Sequence, residues 1–156
     1  MNHADQRALI GRYVGAYIGH APHMAALGIV YCRHGDDWAE LAMPFSAQLV
    51  AYAGDDGSDD GGIVASGAIY ALVDSTAGLA AMITRSGLVP VATLDMRLDY
   101  LRAPKPRATI VSHASCYRMT RNIAFVRGYA HDGDAGDPLA SMAGTFMFTP
   151  VETMTS

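Results

Sequence analysis

Asp74 is the only charged residue between Asp60 and Arg85. A carboxylate set alone in an apolar run is a candidate general base or nucleophile. On a helical wheel it shares a face with Gly67, Tyr70, Ala71, Ala77, Gly78 and Ala81, while Ile69, Leu72, Thr76, Leu79 and Ile83 lie opposite. A bulky face suits a sheet, and a face of glycine and alanine lets a second backbone or a thin substrate chain come close. These patterns leave a structural role equally open, with Asp74 capping a break at Ser75-Thr76 or pairing with a basic residue.

Other reactive side chains form weaker constellations. The six histidines (His3, His20, His23, His34, His113 and His131) contain no HExxH pair, and Pro22 argues against a helical metal pair at His20 and His23. Those two are read as loop or packing residues. A serine-hydrolase elbow is absent, because Ala65-Ser66-Gly67 has alanine where the nearer glycine of G-x-S-x-G belongs. Cys32 and Cys116 have no metal-ligand spacing and read as reduced thiols of a cytoplasmic protein. The run at 54–62, GDDGSDDGG, lacks the spacing and closing Glu of a calcium loop, so it reads as a solvated connection without metal.

The elements that must position Asp74 follow from periodicity. Leu9, Ile10, Tyr13, Val14 and Tyr17 predict an amphipathic N-terminal helix over residues 1–20, ending near Gly19. Segments 27–33 and 38–43 predict a β-hairpin across His34-Gly35-Asp36-Asp37. A long helix is predicted over 66–85, and strands over 91–101, 108–119, 123–131 and 139–148. In the first of these strands Ala92, Leu94, Met96, Leu98 and Tyr100 alternate with polar residues, which puts Thr93 out of phase with the core face. Short links make the last four strands antiparallel neighbours, so the class is α+β, in a single domain spanning 1–156.

Bulk properties narrow the function. A net charge of −4 with 17% charged residues does not provide the basic face that nucleic acid requires. The first twenty residues carry Asp5, Arg7 and Arg12 and no long apolar core, so no signal peptide is expected. The apolar stretch at 61–84 holds Asp74 at its centre, which costs roughly 2.5–3.5 kcal/mol in a bilayer, so it is read as a helix buried in protein.

The run Ala65-Ser66-Gly67-Ala68-Ile69-Tyr70-Ala71-Leu72-Val73-Asp74 resembles the signature of hotdog-fold acyl-CoA thioesterases of the phenylacetate-pathway (PaaI-like) type. In that family a His-Gly-Gly triplet is followed, seven residues after its last glycine, by a helix aspartate. Residues 93–104, TLDMRLDYLRAP, are similar to the strand that follows the family's helix, ending in an aromatic residue and a proline. The likeness covers about residues 27–148. It implies a long central helix wrapped by a curved antiparallel sheet, and a homodimer or dimer of dimers with active sites between protomers. It implies Asp74 as base or nucleophile, backbone amides at Ser66 and Gly67 polarising a thioester carbonyl, and Thr93 helping to hold the attacking water. Asp59 falls near an Asn or similar polar residue of some members. Ala65 stands where the family has its His, and Ser66 replaces the first Gly.

The implied reaction is hydrolysis of an acyl-CoA thioester to free acid and CoA, in the cytoplasm, with no metal and no cofactor beyond the CoA of the substrate. Arg102, Lys105, Arg107, Arg118, Arg121 and Arg127 follow the helix, and Arg102, Lys105, Arg121 and Asn122 are the candidate contacts for CoA phosphates. Two other readings stand beside it. One is a non-catalytic acyl-CoA binding or sensing domain that has lost the His at 65. The other, which the residues favour less, is a hydroxyacyl-CoA dehydratase, which usually has an Asp and a His placed together; no His is near Asp74 in sequence.

Overall fold

The computed structural model describes residues 3–52, 61–85 and 88–149. Helix α1 (His3–His20) leads into a short helix α2 (Pro22–Leu27) that the sequence reading leaves as a connection. Pro22 sits in the first turn of α2, where its missing N–H costs no bond, and Gly28 closes it in the left-handed region at φ 68°. The expected hairpin forms as β1 (Val30–His34) and β2 (Trp38–Met43). Then come α3 (Ser66–Thr84), β3 (Val91–Tyr100), β4 (Ile110–Met119), β5 (Ile123–His131) and β6 (Ala140–Phe148), within two residues of the expected bounds.

The six strands make one antiparallel sheet in the order β1-β2-β4-β5-β6-β3. Alternate residues such as Ile110 and Ala114 of β4, Val126 of β5 and Phe146 of β6 are fully or almost fully buried on its concave face. That face wraps α3, which buries Ile69, Leu72, Val73, Leu79 and Ile83 against it. A sheet curled around a long central helix is the hotdog arrangement. By length and composition α3 also qualifies to cross a bilayer, and nine of its residues are buried within the protein.

The wheel is corrected at two positions. Ala77 and Ala81, expected on the accessible face, are fully buried, because the C-terminal half of α3 lies deeper than its start. The stripe that stays accessible or half-accessible is Gly67, Tyr70, Ala71, Asp74 and Gly78.

Strand β3 departs from simple alternation as well. Thr93 pairs with Phe146 and Asp95 with Thr145, so Leu94 is an extra residue that forms a bulge. A bulge reverses side-chain phase along its strand. Before it, Val91 and Thr93 share the inward phase of Phe148 and Phe146; beyond it, Met96 and Leu98 do. Leu94 is turned out and 53% exposed. Gly144 makes room for the bulge, since a Cβ there would sit 2.9 Å from the Asp95 carbonyl oxygen. Among the described residues β3 is also an edge strand, with β6 its one strand partner, and the Met96 carbonyl accepts from the Tyr70 hydroxyl at 2.9 Å.

Candidate active site

Asp74 stands one turn before Gly78 on the open stripe of α3, and the β3 bulge brings Thr93 to face it. The Thr93 hydroxyl donates to Asp74 Oδ1 at 2.8 Å. The expectation that Thr93 lies out of phase with the core side is thus overturned by one inserted residue. The pair, with Ser75, forms the polar end of a chamber of about 270 Å³. Leu41, Leu79, Met82 and Phe146 line it from the sheet and α3, and Tyr17, Ile18, His23 and Met24 line it from α1 and α2. A mostly apolar cavity with a few convergent polar groups is the usual form of a small-ligand site.

His23 and Tyr17 are the residues sequence reasoning missed. From sequence His23 is a loop or packing residue, yet α2 brings it to the chamber that Asp74 lines. Only the predicted N-terminal helix hinted at this wall, and nothing local to Asp74 pointed to it.

Ser66 and Gly67 begin α3, after Ala65 as N-cap. Their amides belong to the first turn, where no intrahelical acceptor exists, and Ala65 supplies no side-chain cap. Helix dipoles converge there. Asp74 is eight residues further on, about 12 Å along the axis at ~1.5 Å per residue. An oxyanion donor must lie about 2.7–3.1 Å from the carbonyl oxygen. Within one chain, therefore, Asp74 and these amides cannot act on the same thioester.

A second hollow of about 370 Å³ adjoins that helix start, lined in part by Ile63, Val64, Ser66, Tyr100 and Pro104. The Tyr100 hydroxyl donates to the Ser66 carbonyl at 2.7 Å, fixing the first turn against the end of β3.

The cationic candidates divide. Arg102 also lines the second hollow, but its guanidinium makes two bonds to Asp132, at 2.7 and 2.9 Å, and one to the Asp137 carbonyl at 2.7 Å. The Arg102 guanidinium and the Lys105 backbone N–H, 2.6 Å away, hold the buried Asp132 carboxyl far below the usual carboxylate range, outweighing its desolvation. Lys105 keeps an exposed ammonium 3.9 Å from the same carboxylate. Arg121 and Asn122 sit instead at the β4–β5 turn, where the Arg121 carbonyl accepts from Arg85 at the far end of α3. That is about 28 Å from Ser66 along the helix. Arg127 stacks over Tyr117 and Arg107 over Phe45, at 5.4 and 5.2 Å. Asp59 and most of the acidic loop lie outside the described residues.

The thioesterase superfamily model matches residues 61–138, half of the chain, including α3, Asp74 and Thr93. A protein from Pseudomonas aeruginosa shares the fold at a TM-score of 0.77 and 29% identity, over 89% of this chain and 98% of that one. A mutant of the phenylacetic acid degradation protein PaaI from Thermus thermophilus superposes at 0.67 with 26% identity, over 83% and 100%. A thioesterase from Haemophilus influenzae superposes at 0.75 over 94% of both chains, and at 18% identity that likeness speaks for the fold alone. No curated protein matched the chain. With half its length under one family model and a hotdog fold shared with PaaI, the chain belongs to the thioesterase superfamily.

Proposed function

We propose that the protein is an acyl-CoA thioesterase in which each active site is built from two copies of the chain. The observation that carries this is the Asp74–Thr93 pair at the polar end of an apolar chamber. One copy supplies Asp74 and Thr93, and the other supplies the Ser66 and Gly67 amides. Asp74 activates a water, or attacks the carbonyl itself to give an anhydride that water then opens. On either route charge gathers on the carbonyl oxygen against the amides, the C–S bond breaks, and CoA leaves as thiolate and takes up a proton. One such amide is worth roughly 2.7–4 kcal/mol of barrier.

The free edge of β3 supports the pairing of copies, since an unpaired strand edge is a template for another strand. The same pairing covers Leu94 and Tyr100, which are about half exposed. For the CoA phosphates we assign the exposed Lys105 ammonium, on a segment held by Arg102 and Asp132. Arg121 and Asn122 lie a helix length from Ser66 of the same copy, so any contact of theirs with a CoA bound there comes from the other copy. Two unpaired thiols, Cys32 and Cys116, suit a reducing cytoplasm.

The test is free-thiol release from a panel of acyl- and aryl-CoA esters, run beside Asp74→Asn. Loss of turnover in the variant, with binding retained, is the expected result. Equal rates would remove Asp74 from the chemistry. Saturable binding without turnover in both proteins would favour the sensing domain. His23 lines the same chamber as Asp74, and that shared lining carries a second reading, a hydroxyacyl-CoA dehydratase, which usually has an Asp and a His placed together. Reversible hydration of a 2-enoyl-CoA, lost in His23→Gln, would establish it.

A further inference from the structure

Gly78 is unusual for its place. It lies in the interior of α3, where alanine is the better helix former. Packing does not exclude alanine: a Cβ would sit 3.7 Å from Val91 Cγ2 and 3.9 Å from Phe146 Cε1, ordinary contact distances. Nor does it have the positive φ that demands glycine. What that Cβ would do is enter the Asp74 chamber, because Gly78, Val91 and Phe146 all line it.

The chamber has a direction. Along α3 the lining runs from Asp74 and Ser75, with Thr93 bonded to Asp74, to Gly78 one turn on and Met82 a turn beyond, and Tyr17 and His23 are its other polar residues. From Asp74 to Met82 is about 12 Å along the axis. An extended chain advances roughly 1.2 Å per bond, so about ten bonds span that length. Volume gives a similar answer, since a cavity of ~150 Å³ lined by Leu, Ile and Phe takes a benzene ring. At about 270 Å³ the chamber is nearly twice that size. Met24 lines the chamber from α2, and an unbranched thioether adapts to the chain it meets.

We propose that Gly78 and Met24 are the specificity-determining residues of this site, and that the chamber takes medium-length acyl groups of up to about ten carbons. Gly78 leaves the passage open beside Val91 and Phe146, and Met24 limits it from the N-terminal helices. The proposal rests on the acyl-CoA reading above for the identity of the ligand and concerns only its acyl part.

The experiment is a ladder of straight-chain acyl-CoA esters from two to sixteen carbons. It is read as kcat/KM by thiol release in otherwise wild-type protein, and as binding by calorimetry in Asp74→Asn. In both readouts the profile should peak near eight to ten carbons and fall beyond. Gly78→Ala should fold with an unchanged or higher Tm, yet lose about tenfold or more on the ten-carbon ester relative to the four-carbon one. Met24→Ala should move the upper limit to longer chains. Profiles parallel to wild type in both folded variants would overturn the proposal while leaving the thioesterase reading intact. A length-dependent binding profile, shifted by both substitutions but without turnover on any ester, would sink the thioesterase reading and uphold the chamber.

Discussion

Replacing Gly144 with alanine should weaken both the fold and the reaction, for one geometric reason. The new Cβ would lie 2.9 Å from the Asp95 carbonyl oxygen, 3.3 Å from Met96 Cγ and 3.4 Å from Phe146 Cε2. Non-bonded heavy atoms are comfortable at about 3.5–4.0 Å, so β3 must retreat by roughly half an ångström at the bulge. Overpacking of this kind costs about 1–3 kcal/mol. At ~2–4 °C per kcal/mol for a domain of this size, Tm should fall by several degrees. The retreat occurs two residues from Thr93, and since a misplacement of about 1 Å can cost 10²-fold, we expect roughly a tenfold loss in kcat. Gly15→Ala is the matched control: it lies in α1 with nothing within 4 Å of its Cβ, and should gain about 0.5–1 kcal/mol. Thermal unfolding and thiol release on the same preparations supply both readouts. A Gly144→Ala protein with lowered Tm and unchanged kcat would show that the bulge does not aim Thr93. One as stable as wild type would refute the packing argument.

Thr93→Val keeps the shape and removes the donor to Asp74, so kcat should fall by about one order of magnitude, in line with ~1.5 kcal/mol for a bond to a charged group, whereas Thr93→Ser should retain activity. Asp132→Asn should lower Tm at neutral pH by several degrees, because Arg102 loses its buried partner. The Asp132 carboxyl is depressed in the folded state, so its stabilisation is complete above its unfolded value near 3.8 and is lost as pH falls below it. In an acid titration of Tm, the gap between wild type and Asp132→Asn should therefore narrow below about pH 4; a constant gap would contradict the assignment.

How much was legible in the sequence depended on the range of the interactions. The strands and α3 were readable because their apolar periods are local, as in β5, whose bounds coincide with expectation. α2 was not, because six residues after a proline carry too little periodicity to separate a helix from a turn. Thr93 was misread in phase because alternation assumes an unbroken register, and the bulge depends on Gly144 in a strand about fifty residues later. The cationic candidates looked alike in sequence. Arg102 is distinguished by Asp132, thirty residues away, and Arg121 by the length of α3 that separates it from Ser66. His23 joined the site only through the docking of α2, so no spacing around Asp74 could have pointed to it.

In the proposed site Asp74 of one copy works with the helix-start amides of another. Ser66 is the first residue of α3, where proline removes an N–H without breaking the helix. Ala65 already holds φ −61° and ψ 139°, the conformation a residue before proline prefers. Ser66→Pro and Asp74→Asn should each be nearly inactive alone. When co-refolded in equal amounts, half of the dimers contain one of each chain, and each of these rebuilds one intact site of two. The mixture should then recover about a quarter of wild-type activity in a symmetric dimer. A mixture no more active than its two parents would contradict a site shared between copies.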